Sequence, residues 1–196
     1  MLIEKEKARL LELIRENALK LGTHQLSSGK KSDYYIDGKM VTLHSEGISL
    51  IARIIFNMIQ DLEVDAIGGM TMGADPIAAA VAYESFKQGF DTQATQPKGQ
   101  PIDAFIVRKE IKKHGTQKFI EGPLQKNSRV VIVDDVVTTG NSLVNSIQRV
   151  QGEGCKVVAV IALVDRMEGA REAVESQNCQ FSPIFTRDDV LQTVTN

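Results

Sequence analysis

The stretch Val130-Val131-Ile132-Val133-Asp134-Asp135-Val136-Val137-Thr138-Thr139-Gly140-Asn141-Ser142 constrains this chain more than any other. The β-branched run Val130 to Val133 has the character of a strand covered on both faces, as in a parallel sheet. The two carboxylates that follow belong near water, a sugar or a cation, because unpaired charges in a core are very costly. Both are therefore expected at the rim of the fold. Thr138 to Ser142 then offers hydroxyls and free backbone N–H groups where a helix should begin, a place that favours an anion. Diol-reading acids beside such a cradle describe a site for a sugar phosphate. An ordinary strand–loop–helix turn, with Thr139 or Asn141 capping the helix, is the plainer alternative. The full apolar run and both acids favour the sugar-phosphate reading. It is not a nucleotide-binding P-loop, since no Gly-Lys-Ser/Thr follows at the required spacing.

The rest of the chain reads as strand alternating with helix. Residues 4–20 carry Ala8, Leu11, Ile14 and Ala18 at helical spacing, with Leu21 continuing that face and Gly22 ending it. Tyr34–Ile36 is a short strand, and residues 46–62 form a helix rich in isoleucine. Val64–Ile67 opens a strand, with Gly68 to Asp75 as the loop behind it. Asp75 and Pro76 have the look of a helix cap and first position, leading a helix to about Lys87. Residues 91–101 are the least structured stretch. Strands at Ala104–Val107 and Val157–Val164, and a helix from Ser142 to about Gly152, complete the pattern. Such alternation predicts an α/β fold with a central parallel sheet flanked by helices. Ligands of these sheets collect beyond the carboxyl ends of the strands. Gly68–Asp75, Arg108–Gly122, Asp134–Ser142 and Asp165-Arg166 should thus share one rim. The N-terminal helix and Tyr34–Ile36 fall outside the alternation and are expected to form a small hood over it.

Composition sets the limits. A chain of 196 residues, 42% of them hydrophobic, suits one domain over residues 1–196. The hood would come mainly from about residues 1–40 and part of the C-terminal tail. A net charge of −2 argues against nucleic-acid binding as a class. Cys155 and Cys179, without metal-ligand spacing, read as reduced thiols in a cytoplasmic protein. The N-terminus lacks a signal-peptide layout, and no stretch has the ~20 apolar residues of a membrane span.

The acid-pair motif resembles the signature of the type I phosphoribosyltransferases. That resemblance implies their fold and their cosubstrate, phosphoribosyl pyrophosphate (PRPP). In that family the two acids meet the ribose hydroxyls and the following loop wraps the 5-phosphate. The run Arg108-Lys109-Glu110-Ile111-Lys112-Lys113-His114-Gly115 could be a solvated charge run. Its position at the end of a buried strand instead suits a pyrophosphate. Together with Ser28-Gly29-Lys30-Lys31-Ser32-Asp33-Tyr34-Tyr35, the late Asp165-Arg166 and the tail from Phe185 to Asp189, it narrows the similarity to the orotate phosphoribosyltransferase family.

The resemblance covers nearly the whole chain, and it assigns roles. Arg108, Lys109, Lys112 and His114 would belong to a mobile loop gripping the pyrophosphate, with Lys109 and Lys112 catalytic alongside Asp134 and Asp135. Residues Asp134, Asp135, Val136, Val137, Thr138, Thr139, Gly140, Asn141 and Ser142 would bind PRPP. Thr138, Arg166, Tyr35 and Ile36 would contact orotate, Arg166 by its bidentate match to a carboxylate. Mg²⁺ is the implied cofactor, carried on PRPP near Asp134 and Asp135 without direct protein ligands. A homodimer is implied as well, since in the family the basic loop reaches the neighbouring subunit's site. Two departures stand out. Ser27 replaces a lysine, and Met72-Gly73 a Tyr-Lys pair, that hold phosphate in some members. Lys30, Lys31, the metal or loop amides could take over that work.

Three other readings are open to this sequence. A related transferase for uracil, a purine or xanthine would not need Arg166. An RNA-binding regulator on the same fold would need a further basic face. A PRPP synthase-like fragment would need an ATP site, and none is evident.

Overall fold

Val130, Val131, Ile132 and Val133 are all fully buried, as a strand with neighbours on both edges and both faces requires. The computed structural model describes residues 2–25, 31–90, 101–110 and 118–192. In chain order, α1 (Leu2–Leu13) runs into a π-helical turn (Ile14–Ala18), then β1 (Leu19–Gln25), β2 (Lys31–Ile36), α2 (Lys39–Thr42) and α3 (Ser45–Ile59). There follow β3 (Ala66–Met70), α4 (Ala74–Phe90), β4 (Asp103–Val107), β5 (Ile120–Glu121), β6 (Arg129–Val137) and α5 (Asn141–Gly152). The chain continues through β7 (Lys156–Asp165), α6 (Ala170–Glu175), β8 (Phe185–Thr186) and α7 (Arg187–Leu191).

One sheet has the order β5-β4-β3-β6-β7-β8, parallel throughout except for the antiparallel β5–β4 pair. Its central strands separate two cores by simple alternation. Val131 and Val133 of β6, with Ile161 and Leu163 of β7, join Ile51, Ile54 and Ile55 of α3 and Ile77 and Val81 of α4. Val130, Ile132, Val160 and Ala162 face the other way, onto Leu143, Ile147 and Val150 of α5 and Val174 of α6. The expected parallel sheet with helices on both faces is therefore the observed architecture, with one antiparallel edge strand added.

Several boundaries differ from expectation, each for a packing reason. Helical structure at the N-terminus stops at Ala18, and Leu19 to Gln25 pairs antiparallel with Lys31 to Ile36. Leu21 consequently lies in β1 and is 74% exposed instead of continuing an apolar helix face. Gly22, at φ 123°, falls where the hairpin register slips and does not end a helix. Leu10, Leu13 and Ile14 pack into the core with α3, so α1 belongs to the helical layer. Arg9 pairs there with Glu46 at 2.8 Å and Arg53 with Glu6 at 2.6 Å. Among the described residues the β1–β2 hairpin forms the hood. The tail is tied down separately, where Arg15 donates to the carbonyls of Asp189, Val190 and Gln192.

The strands also run longer than their apolar cores. Gly68 and Gly69 are part of β3, not of the loop behind it. A side chain at Gly68 would meet the Phe105 ring at 2.6 Å, and one at Gly69 the Ala74 methyl at 2.8 Å. Helix α4 begins at Ala74, which places Asp75 inside its first turn, bonded to Thr71 Oγ1 at 2.8 Å, instead of at a cap. β6 extends through both acids, because β7 supplies ladder partners as far as Val137↔Asp165. Residues 91–100, also expected to be irregular, lie outside the described residues.

Candidate active site

Because β3, β4, β6 and β7 are parallel, the turns after them open on one edge of the sheet. Arg166 N–H donates to Val137 O at 3.0 Å and Thr71 N–H to Val107 O at 2.9 Å, joining neighbouring strand ends there.

The acid pair sits at the centre of this edge. Asp134 is only 6% exposed, which corrects the expectation of two open rim carboxylates. Its Oδ2 accepts from Ser142 Oγ at 2.6 Å and its Oδ1 from the Asp135 N–H at 3.0 Å. Burial pushes its pKa up to about 7, the Ser142 hydrogen bond pulls it down, and the charge of Asp135 raises it further. Asp135 is partly exposed, and its Oδ1 accepts from the Val136 N–H at 2.8 Å. Two turns press on the pair. A side chain at Gly73 would contact Asp134 Oδ1 and lie 2.6 Å from Asp135 Oδ1, and one at Gly38 would lie 2.7 Å from Asp135 Oδ2. The Met72-Gly73 departure thus has a steric basis, since the backbone here passes too close to the acids for a Cβ.

The loop after β6 leads into α5 through Gly140, at φ 79°, which is the N-cap and contributes no side-chain bond. Neither Thr139 nor Asn141 caps the helix, so the plain capping explanation is not the one realised. Thr139 and Asn141 are exposed and Thr138 is half-buried, an arrangement of hydroxyls and first-turn N–H groups suited to an anion. Two expected contributors are turned elsewhere. The Ser142 hydroxyl is engaged with Asp134, and Val137 is 2% exposed within the α5-side core. These two have only backbone groups to offer a ligand.

On the neighbouring strand end, Arg166 is 5% exposed, not an open rim side chain. Its guanidinium lies 4.8 Å from the Tyr34 ring centroid, donates to Ser32 Oγ at 3.3 Å and pairs with Glu168 at 3.0 Å. Asp165 is also buried, and its Oδ1 accepts from the Met167 N–H at 2.8 Å, shaping the turn. Of the hood aromatics it is Tyr34 that covers Arg166. Tyr35 lies nearer His24, with ring centroids 5.8 Å apart, and the Ile36 side chain is core.

The basic segment begins on the other side of β3. Arg108 pairs with Glu121 at 3.6 Å and Lys109 is exposed. Thr71, Ile106, Arg108, Lys109, Glu110 and Glu121 line a cavity of about 410 Å³. Lys112 and His114 lie outside the described residues, as do Ser27 and Lys30. Sequence reasoning missed Arg149 of α5. Its guanidinium stacks on Phe119 at 4.0 Å and donates to the carbonyls of Arg108 and Lys109, spanning both ends of the basic segment. An arginine in mid-helix carries no signal for such a role. Glu168, two residues after Arg166 and just before a glycine, carried a weak one.

Among the described residues no three His, Cys, Asp or Glu side chains cluster as a ready metal site. Two adjacent carboxylates do fit Mg²⁺, which keeps its waters and is commonly held by one or two carboxylates together with substrate oxygens.

The family model for the phosphoribosyl transferase domain matches residues 38–186. The orotate phosphoribosyltransferase of Synechocystis sp. is 44% identical, over 93% of this chain and 87% of that protein. The crystal structure of Mycobacterium tuberculosis H37Rv orotate phosphoribosyltransferase with Fe(III) dicitrate superposes with a TM-score of 0.79 at 38% identity, covering 95% of this chain and 99% of that one. The same enzyme in complex with PRPP gives 0.75 at 35% identity, over 94% and 98% of the two chains. The chain belongs to the phosphoribosyltransferases and, within them, to the orotate phosphoribosyltransferase family.

Proposed function

We propose that this protein transfers the 5-phosphoribosyl group of PRPP to a ring nitrogen of orotate, releasing pyrophosphate and forming orotidine 5′-monophosphate for pyrimidine synthesis. The observation that carries this reading is the adjacency of two strand ends. The Val137↔Asp165 register and the backbone hydrogen bond from Arg166 N–H to Val137 O bring Arg166 and the Thr138–Ser142 loop onto adjacent strand ends, which supports reading one as the carboxylate contact and the other as the phosphate cradle. Uracil lacks the carboxylate that Arg166 matches.

In this mechanism Asp135, the more open acid, orients the ribose hydroxyls, and Asp134, itself held by the Ser142 hydroxyl, anchors it from below by accepting from the Asp135 N–H. First-turn N–H groups of α5 with Thr138 and Thr139 hold the 5-phosphate. Leaving of pyrophosphate places positive charge on the ribose, which the acids favour, and negative charge on the departing oxygens, which Arg108, Lys109 and Lys112 stabilise. The ring nitrogen gives up its proton as its bond to C1 of the ribose forms, and Lys109, Lys112 or His114 supplies one to the departing pyrophosphate, so the proton count of the site is conserved. Arg166 and Thr138 read the base, Tyr34 covers the guanidinium, and Tyr35 flanks the ring together with the backbone of Ile36, whose side chain is core. Mg²⁺ carried on PRPP, near the acid pair, would neutralise pyrophosphate charge.

Association into a homodimer with shared sites is part of this reading. It is supported by exposed apolar side chains, Met72 in the turn after β3 at 69% and Tyr83 and Phe86 of α4 at 68% and 52%. A cytoplasmic setting is supported by buried free thiols at Cys155 and Cys179. Among the described residues no helix is long and apolar enough to cross a membrane.

Incubation with PRPP, Mg²⁺ and a panel of bases tests the proposal through pyrophosphate release. Release is expected with orotate and not with uracil, adenine or xanthine. Release with another base and none with orotate overturns it.

A further inference from the structure

We infer that Glu168 is an internal substitute for the substrate carboxylate, holding Arg166 paired in the free protein and yielding it when orotate binds. The inference rests on the assignment of Arg166 to the base. A guanidinium that is 5% exposed needs a partner, because an unpaired charge in such a place is strongly unfavourable. Glu168 provides it at 3.0 Å on Nη2, the nitrogen that also donates to Ser32 Oγ. Nε of the same guanidinium is buried without an acceptor among the described residues. The fork is therefore half-used. A carboxylate arriving along its Nε–Nη2 edge would satisfy Nε and take the place that Glu168 holds on Nη2.

Glu168 is built to leave. Its side chain is 30% exposed, against 5% for Arg166, so it can rotate into water while the arginine stays. The backbone is bent to bring it there. Met167, between the two, has φ 58°, a left-handed conformation unfavourable for a side-chain-bearing residue. The Asp165 carboxylate holds that turn through the Met167 N–H, and Gly169 follows at φ 107°. A fixed structural support for Arg166 would be expected to be buried with several bonds of its own. This carboxylate instead occupies the face that a ligand needs.

Orotate binding is then an exchange of one carboxylate for another. Affinity is lower than an unopposed guanidinium would give, and product release is correspondingly easier. Uracil has no need to displace Glu168, so the exchange narrows the preference for orotate over uracil.

The test compares wild type with Glu168→Gln, which keeps the shape and removes the charge, and with Glu168→Ala. Calorimetric titration with orotate should show binding tightened roughly three- to tenfold in both variants. PRPP affinity should be unchanged, and the orotate-over-uracil binding ratio should widen. Orotate should also raise the Tm of Glu168→Gln more than that of wild type, since it re-pairs Arg166. Unchanged or weakened orotate binding, or a narrowed ratio, would overturn the inference and make Glu168 a support for Arg166. Arg166→Ala separates the two levels: if that variant binds orotate like wild type, the base-reading assignment itself fails.

Discussion

A carboxyl held as deep as Asp134 keeps its proton far above the usual range for aspartate. Burial is the main cause, and it places the group near half-ionisation close to pH 7. The folded state thus binds more protons than the unfolded chain between the ordinary value of 3.8 and about 7. By linkage, this site favours folding most below that window and loses its contribution as pH rises through it. Asp134→Asn can still accept from Ser142 but has no proton to lose. Thermal unfolding of the free protein should show equal Tm values for the two proteins near pH 4. At pH 8 the variant should lead by roughly 4–8 °C, about 2 kcal/mol for a chain of this length. A constant offset at all pH values would mean that the titration of Asp134 is uncoupled from folding. Gly73 makes a complementary case at the same scale. Gly73→Ala would drive a methyl into the carboxylates of Asp134 and Asp135. It should lower kcat/KM for PRPP on the order of 10²-fold, the cost of an ångström-scale misplacement. Gly73→Lys, although it adds a cation beside the acids, should be no better. Wild-type kinetics in either variant would show that the turn can withdraw from the acids.

Helix α5 links two parts of the site that the sequence places far apart. Its first turn receives the loop Thr138 to Gly140, and two turns on Arg149 grips the carbonyls of Arg108 and Lys109 and the face of Phe119. Loss of those bonds should loosen both stems of the basic segment without touching its charges. For Arg149→Ala we predict a roughly tenfold lower kcat, a stability loss of about 1–3 kcal/mol, and faster tryptic cleavage between residues 108 and 118. Arg149→Lys should recover only part, because a lysine lacks the planar fork and the stacking face. Unaltered cleavage and kcat in Arg149→Ala would show that the stems are fixed by β4 and β5 alone. Legibility follows the same division between local and distant causes. β6 and α5 could be read directly, because burial on both faces leaves an unbroken apolar run and α5 repeats Leu143, Ile147 and Val150 at helical spacing. β1 could not, since Leu19 to Gln25 is extended only because a hairpin partner pairs with it. The acid motif was legible in type but not in depth, as the burial of Asp134 is set by α5 and by the turn at Gly73. The environment of Arg166 was the least legible, because Ser32 meets it from 134 residues away.

At the scale of the whole molecule, the acids and the start of the basic segment flank one rim, and α4 leads away from it with Met72 exposed before its start and Tyr83 and Phe86 exposed along it. Exposed apolar side chains of this kind mark association when they are contiguous. A second copy seated on α4 would bring its own basic segment toward this rim. Each site would then draw Asp135 from one chain and Lys109 from the other. Lys109→Ala and Asp135→Asn chains should each be nearly inactive as pure proteins. Mixed by co-expression, random pairing makes half of the dimers hybrids, and each hybrid has one site with both residues intact. Turnover should therefore recover to roughly a quarter of wild type, a fraction fixed by this counting and by the two-fold symmetry of such dimers. The same mixture carrying Tyr83→Glu in both chains should lose the recovery and sediment as monomer. No recovery in the first mixture, with dimers verified by sedimentation, would place Lys109 in the site of its own chain.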